Sequence, residues 1–178
     1  MSLLSTPTGT RLGQSPGREN FLPQPISEIN EQLVQWLKGL ASWTHTFTVT
    51  CKRHNIRHLP ITEDILVHTA RHLIRRVDLR CHGRRARRNR LIPVVVSFGW
   101  GLYDDHPHLH FCFASPAEMS FDAFASILDK EASKTFWIDR QRCIKRYEDA
   151  GWLEYLVEHG TTNLIVPLIT PSSFSSSK

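Results

Sequence analysis

Apolar and polar positions along this chain switch between two periods, and the switches mark its elements. From Ser27, the expected N-cap, Leu33, Trp36, Leu37 and Leu40 recur at helical spacing, with Gly39 near the end. Residues 44–52 then alternate. Thr46, Thr48 and Thr50 fall on one face and His45, Phe47, Val49 and Cys51 on the other, which predicts a β-branched strand with a polar side. A second helix starts at Thr62, its expected cap, with Ile65, Leu66, Ala70, Leu73, Ile74 and Val77 as its buried stripe. Residues 91–98 read as a strongly apolar strand, 99–107 as a hairpin connection and 108–114 as the paired strand. Residues 120–134 are helical, with Phe121, Phe124, Ile127 and Leu128 facing inward. A short strand is expected around 136–138, a last helix over 149–158 ended by His159-Gly160, and a closing strand over 164–168. The order α, β, α, β, β, α, β, α predicts an α+β fold. Its central antiparallel sheet has about four to five strands, with helices packed on one face and the other face free for chemistry.

The pattern carries its clearest chemistry in the paired strand. His108-Leu109-His110-Phe111-Cys112-Phe113 alternates so that Leu109, Phe111 and Phe113 fill a core while His108, His110 and Cys112 share the opposite face. Two imidazoles about 6–7 Å apart along one strand can offer two ligands to one divalent metal.

Charge adds a partner class. The chain has 178 residues and a formal charge of +5. Nine arginines lie between positions 71 and 90 (Arg71, Arg75, Arg76, Arg80, Arg84, Arg85, Arg87, Arg88 and Arg90) against one acid, Asp78. Such a block favours a polyanion, because phosphate contact by arginine dominates nucleic-acid affinity. Residues 1–25 are rich in Ser, Thr, Pro and Gly and read as a disordered arm; 26–170 read as one domain and 171–178 as a disordered Ser-rich tail. The four cysteines form no CxxC pair, which argues against a zinc ribbon. With no apolar leader in residues 1–20 and no run of about 18 apolar residues, no membrane association is expected, and the chain reads as cytoplasmic with reduced thiols.

Three pieces in order resemble the HUH endonuclease superfamily, which includes rolling-circle replication initiators, relaxases and single-strand transposases. They are the Thr-rich strand Thr46-Phe47-Thr48-Val49-Thr50, the pair His108-Leu109-His110, and Gly151-Trp152-Leu153-Glu154-Tyr155-Leu156, which is similar to the Gly-Trp-x-x-Tyr helix of many plasmid and phage replication proteins. The resemblance covers about 43–160 and is of the single-tyrosine type. It implies that His108 and His110 hold Mg²⁺ or Mn²⁺, with Mn²⁺ the better match to imidazole. It implies that Tyr155 attacks a phosphate of single-stranded or hairpin DNA to form a 5′-phosphotyrosyl link. The task it implies is replication initiation for a plasmid or phage, with unwinding supplied by a host helicase. Backbone contacts are then expected from Arg84, Arg85, Arg87, Arg88 and Arg90, and from Thr46, Thr48, Thr50, Lys52 and Arg53.

The chain departs from the family in two places. The strand before the histidines carries no acid to act as third ligand, so His159, four residues after Tyr155, or Asp105 or His106 from the hairpin, or no protein group, completes the site. Glu158 and His159 stand where the family often has lysine. A non-catalytic nucleic-acid-binding protein on the same fold is the alternative. A third reading, a phosphodiesterase using His45 with His108 or His110, lacks the Thr or Ser expected two residues after each histidine, where Phe47 and His110 stand.

Overall fold

The computed structural model describes residues 28–55, 57–83, 92–100, 106–158 and 164–165. The expected arm and tail, the loop arginines Arg84, Arg85, Arg87, Arg88 and Arg90, and the ligand candidates Asp105 and His159 lie outside the described residues.

The elements are α1 (Glu28–Leu40), β1 (His45–Cys51), α2 (Glu63–His82), β2 (Val94–Trp100), β3 (Pro107–Phe113), α3 (Phe121–Ala132), β4 (Ile138–Arg146), α4 (Gly151–Glu158) and β5 (Leu164–Ile165). The strands form one sheet in the order β4-β1-β3-β2-β5, with every pairing antiparallel. Helix α2 carries the chain from β1 to β2 and α3 from β3 to β4, while β3 lies between β1 and β2. This is the split βαβ arrangement, and it puts β1 and β3 side by side at the centre. The α+β class and the antiparallel sheet are those the periodicity predicts. Among the described residues no helix is long and apolar enough to cross a membrane.

The strand periodicity holds. Phe47, Val49 and Cys51 of β1, Val94, Val96 and Phe98 of β2, and Leu109, Phe111 and Phe113 of β3 build one core with Leu66, Leu73 and Val77 of α2 and Phe124 and Leu128 of α3. Phe111 stacks against both Phe47 and Phe113. The helix starts follow their caps: the Thr62 hydroxyl accepts from the Ile65 N–H and the Ser120 hydroxyl from the Ala123 N–H.

Three features differ from the sequence expectation. Helices occupy both sides of the sheet, because α1 and α4 pack together on the second face. Val34, Leu37, Leu153, Leu156 and Val157 cluster there with Val95 of β2 and Cys112 of β3. Cys112 therefore shares the histidine face but is buried under this pair. The open part of the face shrinks to the surroundings of His108, with His110 nearly buried beside it. Second, β4 runs for nine residues rather than the few around 136–138. It is a sheet edge rich in Arg and Lys, and charged edges carry little hydrophobic alternation to read. Third, Trp36 lies 47% exposed rather than in the apolar stripe of α1.

Candidate active site

The central pairing builds the site. The β1–β3 register sets Thr48 opposite His110 and Thr50 opposite His108. Residues directly opposed in an antiparallel pair put their side chains on one face within about 5 Å at Cβ. Both pairs are closed by hydrogen bonds, with Thr48 Oγ1 3.1 Å from His110 Nδ1 and Thr50 Oγ1 3.3 Å from His108 Nδ1. The two imidazoles lie 6.1 Å apart between ring centroids, their planes 28° from parallel. Thr-x-Thr and His-x-His thus form two copies of one cross-strand unit. A hydroxyl that accepts from Nδ1–H leaves Nε2 as a bare lone pair, the form in which imidazole binds metals.

Helix α4 brings the tyrosine. Asp149 Oδ1 accepts from the Gly151 N–H at 2.8 Å and starts the helix. A Cβ on Gly151 would meet that same carboxylate oxygen at 3.0 Å, so glycine suits this turn. Trp152 and Tyr155 are three residues apart and share a helix face. The Trp152 indole donates to the Phe111 carbonyl at 3.1 Å, which fastens α4 to β3. Trp152 stacks on Tyr155 with centroids 5.3 Å apart and meets His110 edge-on. Tyr155 Oη then lies 3.3 Å from His110 Nε2. Burial pushes the Tyr155 phenol above its ordinary pKa, and the nearby Glu158 carboxylate adds to the rise.

The remaining predicted residues divide. Thr46 donates to the Lys145 carbonyl at 3.4 Å. The Thr48 and Thr50 hydroxyls, expected to contact a nucleic-acid backbone, are engaged with the histidines and orient them. Lys52 donates to the Phe136 carbonyl at 2.6 Å with its ammonium over the Phe136 ring, and Arg53 is exposed. His106 precedes β3 and is partly buried. His45 lies on the other side of the sheet, with Nε2 3.0 Å from the Phe121 carbonyl and Nδ1 2.8 Å from the Thr44 hydroxyl. It cannot act with His108 or His110 on one scissile bond, which removes the geometry of the two-histidine phosphodiesterase.

Sequence reading missed Ser97. It stands opposite His110 on the β2 side, and its fully buried hydroxyl has no hydrogen-bond partner among the described residues. Gly99, opposite His108, leaves open space where a Cβ would be. Only the strand register reveals either feature.

The donor set fits a hard or borderline divalent cation in part. His108 and His110 supply two imidazoles, and no group of three or more His, Cys, Asp or Glu gathers among the described residues. Mg²⁺ and Mn²⁺ commonly complete their coordination with substrate oxygens and water, so two protein ligands are compatible with such an ion. No family model, curated protein or solved structure matches the chain.

Proposed function

We propose that this protein is a metal-dependent, tyrosine-using single-stranded DNA endonuclease and strand transferase, acting in replication initiation of a plasmid or phage. The observation that carries the reading is the convergence of two oriented imidazoles and a tyrosine hydroxyl, 3.3 Å from the nearer ring, on one patch of the sheet. A divalent cation held by His108 and His110 would supply Lewis-acid stabilisation to the phosphate.

The chain's own residues do the rest. Tyr155 Oη bonds to phosphorus as the bond from phosphorus to the 3′ oxygen breaks, and the phenol's proton is balanced by one gained at that oxygen. One phosphoester replaces another, so the 3′ hydroxyl can reverse the step and rejoin the strand. Trp152 holds the tyrosine ring in place by stacking. Thr48 and Thr50 keep Nε2 of each histidine directed away from β1. The Tyr155 hydroxyl and a cation compete for the same lone pair on His110, so productive binding requires the tyrosine to leave Nε2. The raised phenol pKa and Glu158 oppose nucleophilic activation, and they favour the second reading: a nucleic-acid-binding protein that keeps the sheet without the chemistry. In the first reading a separate host helicase unwinds the duplex, and the protein works in the cytoplasm.

Incubation with end-labelled single-stranded oligonucleotides and Mn²⁺, followed by denaturing electrophoresis, tests the proposal. A protein–DNA adduct that disappears in Tyr155→Phe is the expected result. DNA binding without adduct under any divalent metal supports the second reading. Cleavage that survives Tyr155→Phe but not His108→Ala would make the protein a hydrolytic nuclease.

A further inference from the structure

At the end of the sheet where β1 begins and β3 ends lies a cavity of about 480 Å³, away from the paired histidines. Thr44, His45, Ser115, Phe121, Arg146 and Tyr147 line it. Its volume falls within the range of roughly 300–1,000 Å³ typical of small-molecule pockets.

The wall is assembled with more precision than a loop junction needs. The His45 ring stacks on Phe121 with centroids 4.3 Å apart and planes 9° from parallel. The Arg146 guanidinium carbon lies 4.3 Å from the centre of the same Phe121 ring. His45 is 1% exposed and held at both nitrogens, by the Phe121 carbonyl and the Thr44 hydroxyl. Thr44 in turn accepts from the Ser115 N–H at 2.9 Å, and its own carbonyl accepts from the Tyr147 N–H at 3.0 Å. The His45 and Phe121 rings are therefore fixed before any ligand arrives, and the Arg146 guanidinium lies over the second of them.

What this frame holds in place is a charge. Among the described residues Arg146 makes no ion pair and no side-chain hydrogen bond, so its guanidinium donors are open. Arginine presents those donors as a planar fork that matches phosphate oxygens, and its plane also stacks on bases. Helix α3 starts at Phe121, in the cavity wall, which adds the positive end of a twelve-residue helix. The acids nearest in sequence are Glu148 and Asp122, both exposed, and Asp149, whose carboxylate accepts from the Gly151 N–H. A bare phosphate would leave most of the cavity empty; the aromatic wall with Tyr147 and the Thr44–Ser115 hydroxyls suit a heterocycle as well.

We propose that this cavity is a nucleotide-binding site, with Arg146 taking the phosphate and the wall around Tyr147 taking the base. The nucleotide is either free or one unit of a strand that also crosses the histidine face. The site does not depend on the Tyr155 chemistry, so the two readings fail separately.

Calorimetric titration of the full chain tests it, using thymidine 5′-monophosphate, thymidine, inorganic phosphate and a ten-nucleotide oligothymidylate. Arg146→Ala is expected to weaken nucleotide binding at least tenfold. Arg146→Lys should restore part of it, while Lys130→Ala (the same charge change on the exposed side of α3) should leave the mononucleotide affinity as in the wild type. An effect on the mononucleotide alone marks a free nucleotide as the ligand; an effect on the oligonucleotide marks a nucleotide within a strand. Arg146→Ala matching the wild type for both, or inorganic phosphate binding as tightly as either, overturns the proposal. Equal melting temperatures of the arginine variants and the wild type show that the fold is intact.

Discussion

His45 and His110 are both strand histidines, both nearly buried (1% and 8% exposed) and both engaged at each ring nitrogen, yet they face opposite sides of the sheet and meet different partners. His45 Nε2 faces a backbone carbonyl, which only accepts. Nε2 therefore carries the proton, and Nδ1 is left to accept from Thr44. Burial lowers the His45 pKa, and the Arg146 charge adds to that against the Phe121 carbonyl, so the ring is locked as a neutral structural tie. His110 faces two hydroxyls, each able to donate or accept. One belongs to rigid β1; the other sits on a tyrosine that can turn away. The difference between a core brace and the proposed metal ligand is strand parity plus the nature of two partners.

The comparison breaks most visibly by exchanging losses. His110→Ala is expected to cut adduct formation by at least about 100-fold, the scale of a lost metal ligand or its support, with a smaller loss of stability than His45→Ala. His45→Ala should keep the adduct. It should cost about 2–4 kcal/mol in urea unfolding, from an unmet carbonyl and hydroxyl plus a lost ring stack. If both variants lose stability and activity in parallel, the two histidines are not functionally distinct.

Phe111 separates the layers beneath these residues. Phe111→Ala should cost about 3–5 kcal/mol by removing the ring that packs on Phe47 and Phe113. Its carbonyl bond to Trp152 would remain, so a folded fraction at low temperature should still form the adduct.

The threonines sharpen the account of how His110 is oriented. Thr48→Val keeps the shape and removes the hydroxyl. Mn²⁺ affinity, read by calorimetry, should fall by about 10–100-fold, the usual effect of losing a group that orients a ligating histidine. Thr46→Val, whose hydroxyl meets only a backbone carbonyl, should leave it unchanged.

Much of this was legible in the residues themselves. The alternation of 44–52 and 108–113 assigned each side chain to its face, and the Thr62 cap and the stretch 149–158 ahead of His159-Gly160 located two helices. The pairing of Thr48 with His110, and of Ser97 with the same histidine from the other side, was not legible. Period-2 patterns fix faces but not the register between strands. The α1–α4 pair on the histidine face was hidden for a related reason: an amphipathic stripe shows that a helix packs, not which face of a sheet receives it. The long β4 was missed because charged and polar residues fill most of it, leaving Ile138 and Ile144, six residues apart, as the aliphatic side chains that reach the core. The basic loop and the candidates Asp105 and His159 lie outside the described residues.

The smallest expected effect concerns the proton of Tyr155, the proposed nucleophile. The folded Tyr155 pKa lies above the ordinary value of 10 because of burial and Glu158. The stability gained by keeping the phenol neutral is therefore fully present below pH 10 and is lost as pH rises through the folded value. Glu158→Gln should shift the phenolate absorbance transition downward, and it should modestly speed adduct formation near neutral pH. No movement of the transition would remove Glu158 from the account.

The central claim is that Tyr155, beside His110, is the nucleophile. Mass-spectrometric fragmentation of the proteolysed adduct tests it directly, because one tryptic peptide beginning at Tyr147 holds both Tyr147 and Tyr155. The account predicts the nucleotide mass on Tyr155. A nucleotide on Tyr147 or Tyr103, or on no tyrosine at all, would contradict it.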